Sequence, residues 1–596
     1  MTSAASTAAS QAVPARASNF KRLLSYLRPY WRQSTFGVVT LLVVNVLGVS
    51  IPLLIRDGIN ELQGSFSLAR VHYYALVVFG LASIMWVIRM VSRLLIFGVG
   101  RQVEYELKQK LFQHLLTLEP AYFERTTIGD LINRATSDVE NVRRLLGFAV
   151  LSLANTVFAY ALTLPAMLLI DFRLSLLAIA VYPVMLVLVK LFSHKLQIQQ
   201  ERVQEQLSDL SELIQEDLSG ISLLKIYAQE RNELRAFSRR NAHLLGANLD
   251  LARTRNFLFP LLEGLASVSL LVLLGFGAGA IASQAITVGD FIALLLYVER
   301  LVFPTALLGF TITAYQRGEV SISRIEAILM AEAKIHTVAE PEAFSLADLQ
   351  GWLKADGLTY AYPDSQQPAL QNVSFSIQPG ETIAIVGPIG SGKSTLANAL
   401  PRLLDIEAGQ LFVDGTDITQ VPLPALRQAI AYVPQESFLF STTIENNIRY
   451  GNPTQSHPEV LAAAKEAQIH PEIENFPKQY DTIVGERGIT LSGGQRQRTA
   501  LARALVMDAS ILVLDDALSS VDNQTATAIL HNLSTGTQRK TVIFISHQLS
   551  AAATADRILV MDQGQIVQTG SHSELLQQDG LYRSLWEQQQ LEAMLQ

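Results

Sequence analysis

The sequence predicts a two-part fold: an α-helical domain of six spans whose helices run on past the bilayer, followed by an α/β domain. Six long apolar stretches lie ahead of about residue 315. From Gly351 onward the texture changes, and short β-rich runs alternate with helical patterns. Composition agrees, since 49% of the 596 residues are hydrophobic and only 17% are charged, against about a quarter charged in ordinary soluble domains. The formal net charge of −7 speaks against a nucleic-acid binder built on a broad basic surface. With no cysteine, disulfides, thiolate zinc sites, iron–sulfur clusters and a cysteine nucleophile are excluded.

The elements follow in order. Residues 1–19 are rich in Ala, Ser and Thr with no apolar core, which predicts a disordered tail rather than a secretory signal. A membrane domain is expected over 20–317, with spans near 34–56, 71–98, 146–170, 172–194, 256–282 and 288–314. Each is near or above the ~20 residues that cross ~30 Å of hydrocarbon. Spans three and four are parted only by Asp171-Phe172-Arg173, which fits a tight helical hairpin. Pro52, Pro165, Pro183 and Pro304 fall inside spans, where neighbouring helices satisfy the freed carbonyls. Two long links are basic, with Arg101, Lys108, Lys110 and Arg143 in one and Lys195, Arg202, Arg239 and Arg240 in the other. The positive-inside rule therefore places both links and both termini in the cytoplasm. Segment 196–250 carries apolar residues at three- and four-residue steps and reads as helix continued beyond the membrane. Segment 101–144 reads the same way, broken near Glu119-Pro120 and at 126–129. Periodicity alone does not separate solvated linkers from helices that touch something there.

A connector is expected over 318–350 and the α/β domain over 351–596. Within it, Gly387, Gly390, Ser391, Gly392, Lys393, Ser394 and Thr395 follow the strand-like ETIAIV and precede a helical run. That context marks a phosphate-binding loop. Its glycines let backbone N–H groups curl around phosphate at a helix N-terminus. Lys393 would reach the β- and γ-phosphates of ATP, and the Ser394 hydroxyl would ligate Mg²⁺. The apolar run 511–514 ends in Asp515 and Asp516. Asp515 can hold Mg²⁺ through its water shell, and the next carboxylate is placed to polarise the attacking water.

With Leu491-Ser492-Gly493-Gly494-Gln495 ahead of that strand and His547 behind the next one, the chain resembles the ATP-binding cassette transporters. The likeness runs from the first span to about Tyr582, and the long helical links resemble the exporter branch. The resemblance implies that Tyr362 stacks on adenine, that Gln435 senses Mg²⁺ and faces the membrane domain, and that His547 holds the γ-phosphate. It also implies that Ser492, Gly493, Gly494 and Gln495 contact ATP held by an opposite subunit, with residues 519–522, ending at Asp522, crossing the interface. Glu486 resembles an exporter contact with the cytoplasmic helix ends. Short docking helices are expected near 121–127, carrying Phe123, and near 223–230, carrying Tyr227.

One position departs from the family. Asp516 stands where glutamate is usual, and an arm shorter by ~1.5 Å is expected to lose the water it should orient, so that binding survives while hydrolysis at this site slows; the other reading is that Asp516 still acts as a base through a shifted water. An intact LSGGQ beside a compromised carboxylate resembles one half of the bacterial heterodimeric multidrug-type exporters. The expected partner is a second half-transporter, with a slow homodimer as the alternative. The expected work is ATP-driven export of hydrophobic or amphipathic small molecules or lipids across the cytoplasmic membrane; a nucleotide-gated regulatory subunit is the other reading. Within the spans, Glu299 and Arg300 lie near the midplane and point about 100° apart, so they do not pair with each other. They mark a cargo path or a structural ion pair, with Glu263 a candidate partner for Arg300. Arg89 and Arg93 are expected to snorkel to headgroups.

Overall fold

The computed structural model describes residues 23, 25–64, 67–336, 349–363, 365, 367–485, 488, 490–535 and 540–595. The tail expected over 1–19 lies outside them. The chain forms two compact units, one drawn from positions 1–117 and 126–331, the other from 118–125 and 332–596.

The helical unit holds the six expected long helices: α1 (Ser25–Gln63), α2 (Leu68–Leu115), α4 (Ile128–Ile170), α5 (Phe172–Ser219), α7 (Glu230–Ala282) and α8 (Val288–Leu329). Two short helices, α3 (Pro120–Arg125) and α6 (Ile221–Ile226), interrupt the long links. The shortest of the six has 39 residues, nearly twice the ~20 that cross hydrocarbon. The links are therefore helix continued past the bilayer, as their periodicity requires. Helix α8 runs through Leu329, so the stretch expected as connector from residue 318 begins as helix. Buried Ser321, Ile322, Ile325 and Ile328 keep the helical spacing going there.

Local chemistry explains the breaks. The Asp171 carboxylate accepts the Leu174 N–H at 2.7 Å and caps the start of α5, which makes the hairpin between spans three and four. Pro183 has no N–H to give, and α5 carries a non-helical turn at 180–181 just ahead of it. The Thr127 hydroxyl caps α4, and Thr287 with Asp290 forms a reciprocal capping box at α8. Gly220 and the left-handed Ala228 (φ 49°) bracket α6.

Polar side chains inside the helical unit hold one helix to another. Tyr182 donates to the Val298 carbonyl at 2.6 Å, Tyr297 to Val49 at 2.7 Å, and Ser269 to Ala178 at 2.6 Å. Such bonds contribute about 0.6 kcal/mol each in a bilayer. Large apolar side chains such as Leu76, Phe79, Trp86, Leu271 and Phe276 stay exposed, as lipid-facing surfaces do. These six helices and their outward apolar faces make the chain a multi-pass membrane protein.

The second unit is α/β. One sheet has the order β10-β9-β3-β8-β7-β6, with strands β3 (Thr382–Val386), β6 (Ile430–Val433), β7 (Ile511–Asp515), β8 (Thr541–Ile545), β9 (Arg557–Asp562) and β10 (Gln565–Gly570). All neighbours in it are parallel except β9 and β10. Strands β3, β7 and β8 are buried along their whole length, as unbroken apolar runs in a parallel sheet demand. A smaller antiparallel sheet, β2-β1-β4-β5, comprises β1 (Leu353–Tyr360), β2 (Leu370–Ile377), β4 (Leu411–Val413) and β5 (Thr416–Asp417).

Candidate functional site

Parallel register decides where the chemistry collects. Strands β3, β8, β7 and β6 are successive neighbours, with Ile385 opposite Ile545, Asp515 opposite Ile545, and Leu514 opposite Val433. Their C-terminal ends share one rim, where α/β sheets bind ligands. From that rim emerge the phosphate loop after β3, His547 after β8, Asp515 and Asp516 at the end of β7, and Gln435 after β6.

The loop turns into helix α9 (Lys393–Ala399). Gly387 and Gly392 have φ of +149° and +96°. A Cβ on Gly387 would sit 2.1 Å from the Met561 carbonyl oxygen, and one on Gly392 2.5 Å from that of Ala369, so no side chain fits at either. Lys393 Nζ donates to the carbonyls of Gly387 (2.8 Å) and Pro388 (2.7 Å). Burial lowers the pKa of this ammonium, with Asp515 and Asp516 working the other way. The cation thus rests in the cradle on weak loop acceptors, a place a phosphate would claim.

Ser394 Oγ donates to Asp515 Oδ1 at 3.0 Å, and the Tyr432 hydroxyl donates to Asp515 Oδ2 at 3.2 Å and to Asn398 Oδ1 at 2.8 Å. Burial raises the Asp515 pKa and Asp516 adds to that, while the two hydroxyl donors and Lys393 pull it down. Gln435 Nε2 reaches Asp516 Oδ2 at 3.4 Å. The serine hydroxyl, the Asp515 carboxylate and the Gln435 amide carbonyl are hard oxygen donors, the set Mg²⁺ takes. Among the described residues no three acid, His or Cys side chains cluster as a metal cage.

Asp516 is half-buried with φ +49°. It lines a cavity of about 190 Å³ together with Ser519, Ser546 and His547. The exposed His547 is held by its backbone: its carbonyl accepts Gln589 Nε2 at 3.2 Å, and Gln589 Oε1 accepts the Leu549 N–H at 2.7 Å. The Tyr362 hydroxyl lies 3.4 Å from Thr395 Oγ1, beside the loop.

Ser492 caps α10 (Gly493–Leu505) in a reciprocal box with Gln495. Ser492 Oγ accepts the Gln495 N–H at 3.2 Å, and Gln495 Oε1 accepts the Ser492 N–H at 2.9 Å. Gly493 and Gly494 open that helix, and a Cβ on Gly494 would meet the Ser520 carbonyl oxygen at 2.8 Å. Gln497 then ties the helix to the following loop, donating to Ser519 Oγ (3.0 Å) and accepting the Ser520 N–H (2.8 Å). Asp522 caps the next helix, α11 (Asn523–Thr535), through the Thr525 N–H at 2.9 Å.

Glu486 lies outside the described residues. Phe123, on α3, stacks edge-on against Tyr122 with ring centroids 5.6 Å apart. Tyr122 and Arg125 border a cleft of about 480 Å³ with Tyr360, Leu404 and Asp405. Tyr227, just past α6, is 69% exposed, and Leu223 and Ile226 beside it are as open. In the helical unit Glu299 and Glu263 are both exposed. Arg300 does not turn to Glu263: it donates to the Asn45 side-chain oxygen (3.1 Å) and carbonyl (3.3 Å). A neutral amide on α1 is the nearer acceptor.

Tyr432, Asn398, Gln497 and Gln589 escaped the sequence reading. The Gly494-to-Gln497 interval offered a polar residue at helical spacing, but the other three reach the site only through tertiary packing.

Known proteins resemble the chain over nearly its whole length. The family description "ABC transporter transmembrane region" matches residues 34–305, and "ABC transporter" matches residues 370–519. A probable multidrug resistance ABC transporter ATP-binding/permease protein of Bacillus subtilis is 34% identical over 575 residues, covering 96% of this chain and 97% of that one. An ATP-dependent lipid A-core flippase of Thiobacillus denitrificans is 32% identical over 570 residues, covering 95% and 97%. Among solved structures, a bacterial Atm1-family ABC exporter with ATP bound superposes with a TM-score of 0.76 at 27% identity, covering 94% of this chain and 99% of that chain.

Proposed function

The chain belongs to the ATP-binding cassette transporter family, with an exporter-type six-span membrane domain fused to its nucleotide-binding domain, and from that premise we propose that it drives export of hydrophobic or amphipathic small molecules or lipids across the cytoplasmic membrane as one half of a dimer. The observation that carries this reading is the convergence of Lys393, Ser394, Asp515, Gln435 and His547 on one sheet rim of a chain that also supplies six spanning helices. The names borne by the relatives, a multidrug transporter and a lipid flippase, support the cargo class. Both termini and the nucleotide-binding domain lie on the cytoplasmic side in this reading, the side of the basic links.

Each residue has a distinct task. The loop glycines open the backbone N–H groups to the phosphates, and Lys393 exchanges its loop carbonyls for them. Tyr362 offers its ring to adenine. Mg²⁺, when bound, neutralises charge between the outer phosphates; Ser394, Asp515 and Gln435 are the residues that would hold it. His547 orients the γ-phosphate, while Asp516 faces the attacking water from an arm one methylene short. Ser492 to Gln495 serve the nucleotide of the opposite subunit. Closure of two such domains on ATP turns the membrane domain from inward-facing to outward-facing, and cargo follows the difference in its affinity for the two states.

A sound signature beside a short carboxylate supports a heterodimer whose other half carries the faster site. Inverted vesicles bearing this chain, alone and with its candidate partner, test the reading. ATP-dependent accumulation against a gradient supports it, and transport that only runs downhill refutes it. Brisk ATP turnover by the lone chain refutes the heterodimer.

A further inference from the structure

Arg89 and Arg93, expected to snorkel, both line a cavity inside the helical unit. Four residues apart on α2, they share a face, and they line one cavity of about 460 Å³ with Arg300 of α8 and Asn45 of α1. That volume lies within the range of small-molecule sites. Among the described residues the lining holds three guanidinium groups and no Asp or Glu. Arg300 Nη2 is spent on Asn45, which in turn donates to Asn155 Oδ1 at 3.1 Å. Among the described residues, Arg300 Nε is buried with no hydrogen-bond partner. Arg89 Nη2 donates to the Met85 sulfur at 3.6 Å. Gly48 makes room for the head of Arg300, since a Cβ there would lie 1.9 Å from Nη1. Arg300 stands about a dozen residues into α8, roughly 18 Å along the helix by its rise. Leu41, Val44, Phe97, Phe148, Phe303 and Leu307 supply the remaining apolar wall.

Guanidinium groups gathered from two spans are costly in hydrocarbon unless an anion joins them, and among the described residues the lining brings none. We propose that this cavity seats the anionic headgroup of an amphiphilic cargo, a phosphate, carboxylate or sulfonate carried on an apolar body. The headgroup takes the free donors of Arg89, Arg93 and Arg300, and the body lies against the phenylalanines and leucines. The proposal rests on the export reading and narrows its cargo to amphiphilic anions.

The test uses two probes with one body: dansylaminoundecanoic acid and its uncharged methyl ester. They are titrated into the full-length chain in phosphatidylcholine nanodiscs, with wild type, Arg89→Gln, Arg300→Gln and Arg300→Lys compared. The acid binds at least about tenfold tighter than the ester to wild type. Either glutamine variant removes most of that preference while leaving ester affinity in place, and Arg300→Lys restores it, which separates lost charge from lost fold. Equal affinity for acid and ester in wild type, or a preference that survives both glutamine variants, overturns the proposal. A transport arm follows both probes into proteoliposomes holding the complete dimer. ATP-dependent uptake of the acid supports the cargo assignment. Uptake of the ester without the acid overturns it and leaves export standing; if phosphatidylglycerol in the disc then displaces the bound acid, the arginines hold a resident lipid. Uptake of neither probe by a dimer that hydrolyses ATP goes against the export reading, while the nanodisc titration still judges the arginine cavity.

Discussion

Replacing Asp516 by glutamate isolates the short arm. The Asp516 carboxylate stops 3.4 Å from the Gln435 amide nitrogen, beyond the ~3.2 Å limit of a good N–H···O bond. One more methylene advances the carboxylate by ~1.5 Å. Because a 1 Å error in placing a reacting group can cost about 100-fold, D516E should speed γ-phosphate cleavage at this site by about 10- to 100-fold. That corresponds to roughly 1.4–2.7 kcal/mol of barrier. The backbone opposes the change slightly: φ at this residue is +49°, a region that suits Asp better than Glu, at under ~1 kcal/mol of strain. The net effect stays an acceleration. The assay is single-turnover hydrolysis of γ-labelled ATP in the assembled dimer with the partner's hydrolytic carboxylate neutralised, next to an ATP-binding titration. Binding should hold within about threefold while the rate climbs. An unchanged rate with unchanged binding would refute the reasoning, because reach would then not be what limits this site.

Three further outcomes are expected. Gly392→Ala, forced to carry a Cβ at φ +96° and 2.5 Å from the Ala369 oxygen, should cost about 1–2 kcal/mol in backbone strain alone and more than tenfold in ATP affinity, read by thermal unfolding and by titration. Gln589→Ala should lower kcat about three- to tenfold with ATP affinity kept, since it frees the backbone behind His547 at about 1 kcal/mol per lost bond; steady-state ATPase kinetics decide. Glu466→Gln should raise the melting temperature of the nucleotide-binding domain at pH 7. Burial raises the Glu466 pKa, with Lys540 opposing and Asp508 adding, so the folded state holds that proton more tightly than the unfolded state. The ionisation penalty is full above the raised pKa and vanishes below the ordinary value of about 4.3. The gain should therefore shrink on acidification through that window, and a gain independent of pH would contradict the assignment.

What the sequence made legible was chemistry written locally. The phosphate loop and the carboxylates after the run 511–514 each occupy a few consecutive residues at the end of a strand, so one window holds both the motif and its structural reason, while the run 491–495 was legible through its resemblance to a family and its Ser492 cap was not. The six spans and their extensions were legible because hydropathy and period are local too. The hairpin was legible because Asp171-Phe172-Arg173 alone parts two apolar runs, and the structure adds the Asp171 cap. What escaped depends on contacts across the fold. Tyr432 reaches Asp515 because β6 and β7 are neighbours, and Gln589 reaches His547 from a helix more than forty residues on. Arg89, Arg93 and Arg300 were each visible as charges within spans, yet only the packing of α1, α2 and α8 places them in one cavity. Arg300 meets Asn45 rather than Glu263, a partner a sequence reading misses because an amide carries no charge signal.

The cap at Ser492 has one more consequence. It uses the lone pairs of that oxygen to receive the Gln495 N–H, which leaves the hydroxyl hydrogen uncommitted. The same atom can therefore steady its own helix and greet a visiting oxyanion, with neither duty suspended for the other. Under the proposed function, a phosphate of the opposite subunit could therefore bind there without unwinding the segment.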